Sequence, residues 1–324
     1  MIIVDSSIDI YGTVFANLDT FDLRNIQYNE KSYNMFVHLF LNQLLFRIKQ
    51  FKVCKSNRMY LAIDSKSWRK RYFNLVKKRY FNNYYKDKEV TDEAYKGHRE
   101  KSEYINFEKI FEIFRDVVYN LSKYTDIVPI KVKDTEADDI IGTICLNNPD
   151  EKITIISGDK DFKQLLVNDN IKMYNGKTHI YESVPNVDLF LKHHIIMGDR
   201  IDEVPAIKPR VGDKTAMKML PTIDMLLNTN IDMKFRYYVN EKLIDLSKSP
   251  KYIQKRILDK YNSVKDDFNF DANEFIKFLQ KYECREIIKK INGFSLNSDY
   301  VEENQSISGS NSSVKIINDF LDSL

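Results

Sequence analysis

The stretch Ile153-Thr154-Ile155-Ile156-Ser157-Gly158-Asp159-Lys160-Asp161 reads as a short strand that runs into a turn carrying two carboxylates. Its apolar start is β-branched and shows no polar alternation, the pattern of a strand covered on both faces. The same arrangement occurs twice upstream, where residues 2–4 lead into Asp5 and Met59–Ile63 into Asp64. Helical spacing lies between these runs. Residues 31–51 place Phe36, Leu39, Phe40 and Leu44 on one face, and residues 107–121 form a second helical pattern. Residues 126–132 read as extended. Thr135 is placed to cap a helix over residues 136–146, whose first turn carries acids where the helix dipole favours them. Strands alternating with helices predict an α/β fold with a mostly parallel central sheet flanked by helices. Sites in such sheets form beyond the carboxyl ends of the strands, where Asp5, Asp64 and Asp159 all stand.

Acids recur in five places: Asp5; Asp64; Glu136, Asp138 and Asp139; Asp159 and Asp161; Asp199 and Asp202. One aspartate at a strand end is usually a cap or turn residue, and a lone D-x-D fits a phosphatase or glycosyltransferase as well as a nuclease. Together the five groups point to hard divalent cations, which take a few carboxylate oxygens and keep several waters. Two such ions about 4 Å apart activate a water and stabilise the leaving oxygen of a phosphodiester. Without cations, so many carboxylates in one small site would repel one another.

Bulk properties mainly exclude. The 324 residues carry a formal charge of +3, with 43% apolar and 30% charged residues, enough for a real core and a water-facing surface. Net charge so near neutral does not itself indicate a nucleic-acid partner. Residues 35–48 are the most apolar stretch but are broken by His38, Asn42, Gln43 and Arg47, so no membrane span is expected. Residues 1–5 already read as a strand, which leaves no room for a signal peptide. Three cysteines without a C-x-x-C pair argue against a disulfide framework or zinc site and fit a reducing cytoplasm. His193 and His194, adjacent on a helix, read as ordinary helix surface.

Between Asp64 and residue 107 the composition changes. Trp68-Arg69-Lys70-Arg71-Tyr72-Phe73, then Lys77-Lys78-Arg79-Tyr80-Phe81, then Tyr95-Lys96-Gly97-His98-Arg99 interleave basic and aromatic residues. Lys and Arg neutralise phosphates and rings stack on unpaired bases. A solvated helical face is the bland alternative, and so many rings argue against it.

In this order and spacing, Ile3-Val4-Asp5, Ala62-Ile63-Asp64, Tyr95-Lys96-Gly97-His98-Arg99, Glu136-Ala137-Asp138-Asp139, Ser157-Gly158-Asp159-Lys160-Asp161 and Met197-Gly198-Asp199-Arg200-Ile201-Asp202 carry a resemblance over roughly residues 1–220. The chain resembles the flap endonuclease superfamily of structure-specific 5′ nucleases, and within it the phage 5′→3′ exonucleases that include the ribonuclease H of T-even phages. The resemblance implies a metal-dependent phosphodiesterase with a PIN-like catalytic domain over residues 1–200 and a helical arch at about 65–100. It implies a smaller all-helical domain over 201–300 with a helix-turn-helix-like duplex-binding motif, then a linker and tail over 301–324. It implies two Mg2+ ions, replaceable by Mn2+, with Asp5, Asp64, Glu136, Asp138 and Asp159 around the first. Asp161, Asp199 and Asp202 would hold the second, partly through waters, and Asp139 is counted with the metal-binding acids. Lys96 and Arg99 would stabilise charge on the scissile phosphate.

The implied substrates are DNA with a 5′ flap or single-stranded 5′ end and RNA–DNA hybrids, cut during removal of primers and flaps in replication. Trp68, Arg69, Arg71, Lys77, Lys78, Arg79, Gly212, Lys214 and Thr215 are the further nucleic-acid-binding candidates. In the segment after Asp202, Ala206 and Pro209 stand where glycines are expected, which puts a monovalent-ion site there in doubt. A monomer in the cytoplasm, a host's if the chain is viral, is expected. Ile316, Ile317, Phe320, Leu321 and Leu324 form one helical stripe behind a Ser/Asn-rich linker. That tail resembles peptides that dock on a sliding clamp, with a frayed helix packed on its own domain as the equal alternative; a single-stranded-DNA-binding protein is a second implied partner. The competing readings are an inactive nucleic-acid-binding homologue, a PIN-type ribonuclease lacking arch and duplex grip, and a phosphatase that would leave Asp64, Asp199 and Asp202 unexplained.

Overall fold

The computed structural model describes residues 1–24, 30–81 and 103–296. In chain order the first elements are β1 (Ile2–Asp5), α1 (Ser6–Phe15), α2 (Leu18–Phe21), α3 (Glu30–Gln50), β2 (Met59–Ile63), α4 (Trp68–Phe81), α5 (Phe107–Tyr124), β3 (Val128–Lys131), α6 (Ala137–Leu146) and β4 (Ile153–Ile156). A 3₁₀ helix (Lys160–Val167) leads to β5 (Ile171–Asn175), β6 (Ile180–Tyr181) and α7 (Val187–Met197). Six further helices follow: α8 (Asp213–Met219), α9 (Ile223–Thr229), α10 (Ile231–Ile244), α11 (Lys251–Val264), α12 (Ala272–Lys281) and α13 (Arg285–Ile288).

The strands form one mixed, mostly parallel sheet in the order β3-β2-β1-β4-β5-β6. β4 and β5 pair in parallel with Ile153 opposite Ile171 and Ile155 opposite Met173, and β6 closes an antiparallel hairpin on β5. The three strands read from sequence to end in Asp5, Asp64 and Asp159 are all present, and β1 and β2 are buried along their whole length.

The chain forms two compact units, each assembled from separated segments. One comprises Met1–Leu61, Ser102–Ile130 and Asn262–Leu324, the other Ala62–Lys101 and Lys131–Tyr261. In the first, Phe36, Val37, Phe40, Leu41 and Leu44 make the buried stripe of α3, and Phe40 meets Phe114 of α5 edge-on at 5.3 Å. Asp126 ties distant segments together by accepting the Asn269 and Leu296 N–H groups at 3.0 and 2.8 Å.

In the second unit, α4 turns Phe73 and Tyr80, both 0% exposed, into a core shared with Ile195, Ile196, Val204 and Ile207. These two rings, expected among bases, therefore pack at seven-residue spacing as a helical core stripe, while Lys70, Arg71, Lys78 and Arg79 are exposed and Arg69 is itself buried. Helix α6 begins one residue later than expected. Thr135 turns back to donate to the Val132 carbonyl at 2.9 Å, leaving Glu136 as the extended N-cap. No helix among the described residues is long and apolar enough to cross a membrane. Cys145 and Cys284 are buried free thiols, and Cys54 is a half-buried one.

Candidate metal centre

Two turns of the second unit present its central carboxylates. Where β4 ends, Asp159 caps the 3₁₀ helix: its Oδ1 accepts the Asp161 N–H at 2.9 Å, and its own N–H donates to Ser157 Oγ at 3.0 Å. Where α7 ends, Gly198 adopts φ +69°, and a Cβ there would collide with the carbonyl oxygens of Val204 and Pro205. Only glycine fits that backbone. The chain doubles back so that Val204 N–H reaches the Asp199 carbonyl at 2.7 Å, and Asp199 Oδ1 accepts from the Ile201 and Asp202 N–H groups at 2.8 and 3.2 Å.

The second oxygen of Asp199 faces a histidine. His194 Nε2 lies 3.0 Å from Asp199 Oδ2, Lys160 Nζ lies 2.9 Å from the same oxygen, and His194 Nδ1 stands 3.6 Å from Asp161 Oδ1. One ligand atom from each of Asp161, His194 and Asp199 falls within 4.8 Å of the others. Burial and the neighbouring Asp159 charge push the Asp161 carboxyl up to about 7, with Asp199 and Asp202 adding to the effect and His194 opposing it. Burial also works against the charge of Asp199, but hydrogen bonds from His194 and Lys160 outweigh it and hold that carboxyl well below the usual range. Lys160, despite partial burial, is held above its ordinary value by Asp199. Among the described residues, Asp161 Oδ1 and His194 Nδ1 are buried without a hydrogen-bond partner. Oxygen-rich, short of positive charge and carrying an orphaned carboxylate atom, the cluster fits a divalent cation.

The remaining acids divide. Asp64 is exposed and accepts the Ala137 N–H at 2.6 Å, which brings it to the N-terminus of α6. Asp138 and Asp202 are half-buried. Glu136 is buried with Arg69 Nη1 at 3.2 Å from its Oε2. Asp139, expected among the metal-binding acids, serves otherwise. It is 0% exposed and takes Arg69 at 2.8 Å, Trp68 Nε1 at 3.1 Å, Ser249 Oγ at 2.6 Å and the Glu136 N–H at 3.0 Å. Those four donors occupy its lone pairs, and the Arg69 that neutralises it is 2% exposed; Asp199 also accepts four, but its Lys160 is 48% exposed and can swing aside for a cation. Asp5 belongs to the other unit, where it ends β1 and accepts the Ser7 N–H at 3.2 Å as the cap of α1.

The basic candidates are also sorted by packing. Trp68 and Arg69 are buried beside Asp139, and Arg69 Nε donates to the Leu243 carbonyl at 2.9 Å, so neither presents a face to nucleic acid. Arg71 is exposed with Asp134 at 3.4 Å, Lys77 is half-buried, and Lys78 and Arg79 are exposed, with Arg79 over the Phe235 ring. Gly212 is the extended N-cap of α8, Lys214 is exposed and Thr215 half-buried. Lys96, Arg99 and the tail stripe lie outside the described residues.

His194 escaped the reading of the sequence. Of the adjacent pair on α7, His193 does meet surface partners, with Asp213 Oδ1 at 3.3 Å, while the ring one residue on is turned inward. The available signal was its place directly before the apolar Ile195-Ile196-Met197, five residues before Asp199.

Comparison with known proteins gives concordant matches. Residues 1–189 match the family model of the 5′-3′ exonuclease, N-terminal resolvase-like domain. Ribonuclease H of Enterobacteria phage T4 is 28% identical over 257 residues, covering 72% of this chain and 78% of the relative. The phage T5 flap endonuclease, solved as a pseudo-enzyme–product complex with DNA and metal ions, superposes with a TM-score of 0.53 at 15% identity over 87% of this chain and 98% of its own. The phage T5 5′-exonuclease with divalent zinc ions bound gives 0.52 at 16% identity over 87% and 98%.

Proposed function

This chain belongs to the 5′-3′ exonuclease family, and from that premise we propose that it is a structure-specific 5′ nuclease that hydrolyses phosphodiesters with two divalent cations, Mg2+ in the cell. The observation that carries this reading is the cluster of Asp161, Asp199 and His194, in which Asp161 stands among other carboxylates with one oxygen lacking a donor among the described residues. Relatives of the same fold, named as nucleases, were solved with metal ions and with DNA, which supports the same reading. Bound cations would lower the pKa of a water and take up negative charge developing on the phosphate.

The chain's own residues hold that pocket in shape. Asp159 is fixed by Ser157 and by the Asp161 N–H, Asp199 by two backbone N–H groups, and the Gly198 turn sets the approach of Asp199 and Asp202. Lys160 keeps one Asp199 oxygen ionised and oriented. Asp64, Glu136, Asp138 and Asp159 are assigned to the first cation, and Asp161, Asp199 and Asp202 to the second. Lys96 and Arg99 are assigned to the scissile phosphate, and the stretch from about residue 65 to 100 to an arch over a single-stranded 5′ end. Residues 201–300 would grip the duplex, and the tail would dock on a sliding clamp. The substrates proposed are 5′-flap DNA and RNA–DNA hybrids, so that the chain removes primers and flaps.

Labelled 5′-flap, nicked, blunt and RNA–DNA hybrid substrates, incubated with Mg2+ or with chelator, test the reading. Flap and hybrid are expected to be cut from the 5′ side with Mg2+ only. Cleavage that persists in chelator overturns the cation assignment, and intact flap and hybrid with Mg2+ overturn the function.

A further inference from the structure

We infer that His194 supplies its Nδ1 to the cation held by Asp161, with Asp199 fixing the ring through Nε2, so that this pocket tolerates nitrogen-preferring first-row ions, cobalt(II) for example, better than an all-carboxylate site does. The inference deepens the two-cation reading and rests on it.

A ring next to an apolar run of a helix normally packs as core. This one is only 6% exposed, yet both of its nitrogens confront carboxylate oxygens, Nε2 with Asp199 at 3.0 Å and Nδ1 with Asp161 at 3.6 Å. A neutral ring that donates from Nε2 to Asp199 leaves the Nδ1 lone pair aimed at an oxygen lone pair of Asp161. Neither atom has a hydrogen-bond partner among the described residues. Two electron-rich atoms facing each other in a buried site are costly; a shared proton relieves the cost in the metal-free chain, and a cation between them displaces that proton. Donors about 2.1 Å from a shared ion span a gap of this size at an obtuse angle, so little rearrangement is required. Asp161 and Asp199 come from different elements, the 3₁₀ helix after β4 and the turn after α7, and His194 from the last turn of α7 itself. The two donors and the carboxylate that holds the ring are thus converged by the fold rather than by local sequence.

The ligand chemistry has a selective consequence. Carboxylate and water suit Mg2+, whereas imidazole raises affinity along the Irving–Williams series. Exchanging His194 for a side chain with an oxygen or no donor should therefore penalise cobalt(II) far more than Mg2+.

The test uses the full chain without an affinity tag. Calorimetric titration with cobalt(II) alone and with Mg2+ alone compares the parental protein with His194→Gln and His194→Ala. Pulsed electron spin echo on the Mn2+-loaded protein looks for nitrogen modulation. The expected result is a 10–100-fold loss of cobalt(II) affinity at one site in both variants. Mg2+ affinity should change by less than about threefold. Nitrogen modulation should be present in the parental protein, absent in His194→Gln and retained in His193→Gln. Parental cobalt(II) affinity in both variants, or equal losses for both ions, would mean the ring only orients Asp199 and overturns the inference. Absence of nitrogen modulation in the Mn2+-loaded parental protein does so without relying on any variant's folding. Failure of every divalent ion to bind would instead sink the two-cation reading itself.

Discussion

Asp139, fully buried, and Asp161, half-buried, are carboxylates of the same compact unit, and they have opposite circumstances. Around Asp139 the chain has supplied its own counter-charge in Arg69, together with donors from Trp68, Ser249 and the Glu136 backbone. Around Asp161 it has supplied three more carboxylates and left one oxygen without a donor among the described residues. A carboxylate whose partners are all built in is part of the scaffold. One that lies among other carboxylates is the candidate for a cation from solution. Proximity to a metal-binding motif does not separate them, since Asp139 sits directly beside Asp138 in the same motif.

The sharpest way to break this contrast is to neutralise one member of each kind. Asp161→Asn or Asp138→Asn is expected to lower cleavage of a labelled 5′-flap by about 10³-fold or more, because the cation's Lewis-acid contribution is worth several kcal/mol. Asp139→Asn should act through the folded fraction, leaving the rate per folded molecule and its Mg2+ dependence close to parental. A metal-dependence shift in the Asp139 variant would erase the distinction. Nearly as large is the effect expected of Arg69→Met, which leaves Asp139 buried without its cation. Denaturant unfolding should show a loss of about 3–5 kcal/mol. Parental stability would mean that the buried pair contributes nothing.

Gly198→Ala should be next. The added Cβ meets backbone oxygen at a positive φ, so the turn carrying Asp199 and Asp202 must shift, and a misplacement of roughly 1 Å costs about 10²-fold in rate. Flap cleavage at saturating Mg2+ measures it, and an unchanged rate would show the turn to be dispensable for the pocket. The smallest effect is a pH dependence. The Asp161 carboxyl is raised in the folded chain, so between its ordinary value and about 7 the folded state binds more protons than the unfolded one. Stability of the metal-free protein should then fall as pH rises through that window, by at most about 1.4 kcal/mol per pH unit. Asp161→Asn or saturating Mg2+ should flatten the curve. A metal-free protein whose stability curve matches that of the Asp161→Asn variant would show that Asp161 is not short of charge.

Much of the scaffold was legible because it repeats a simple pattern. β1, β2 and β4 are short β-branched runs closed by an aspartate, and α3 and α5 are long enough for their periodicity to show. The β5–β6 hairpin was not read, since β6 has two residues and exists only through its pairing with β5. The segment after Asp159 was read as helical but tightens into a 3₁₀ helix. Rings on α4 were taken for a stacking surface because basic and aromatic residues alternate there; which of them face inward depends on what the helix packs against. The grouping of the chain into units is likewise invisible in its order, because each unit combines stretches interrupted by a segment of the other.

The sequence alone determined the family, the run of strand-end carboxylates and a set of acids suited to a divalent cation, because residue type and spacing set charge and local conformation. Which acids remain available to a cation was decided only by the tertiary structure. Burial and hydrogen-bond donors come from segments far away in the chain: Ser249 and Arg69 settle Asp139, and His194, turned inward on α7, completes the surroundings of Asp161. A carboxylate's role depends on whether the fold brings it a donor, and that is a property of packing rather than of the residue.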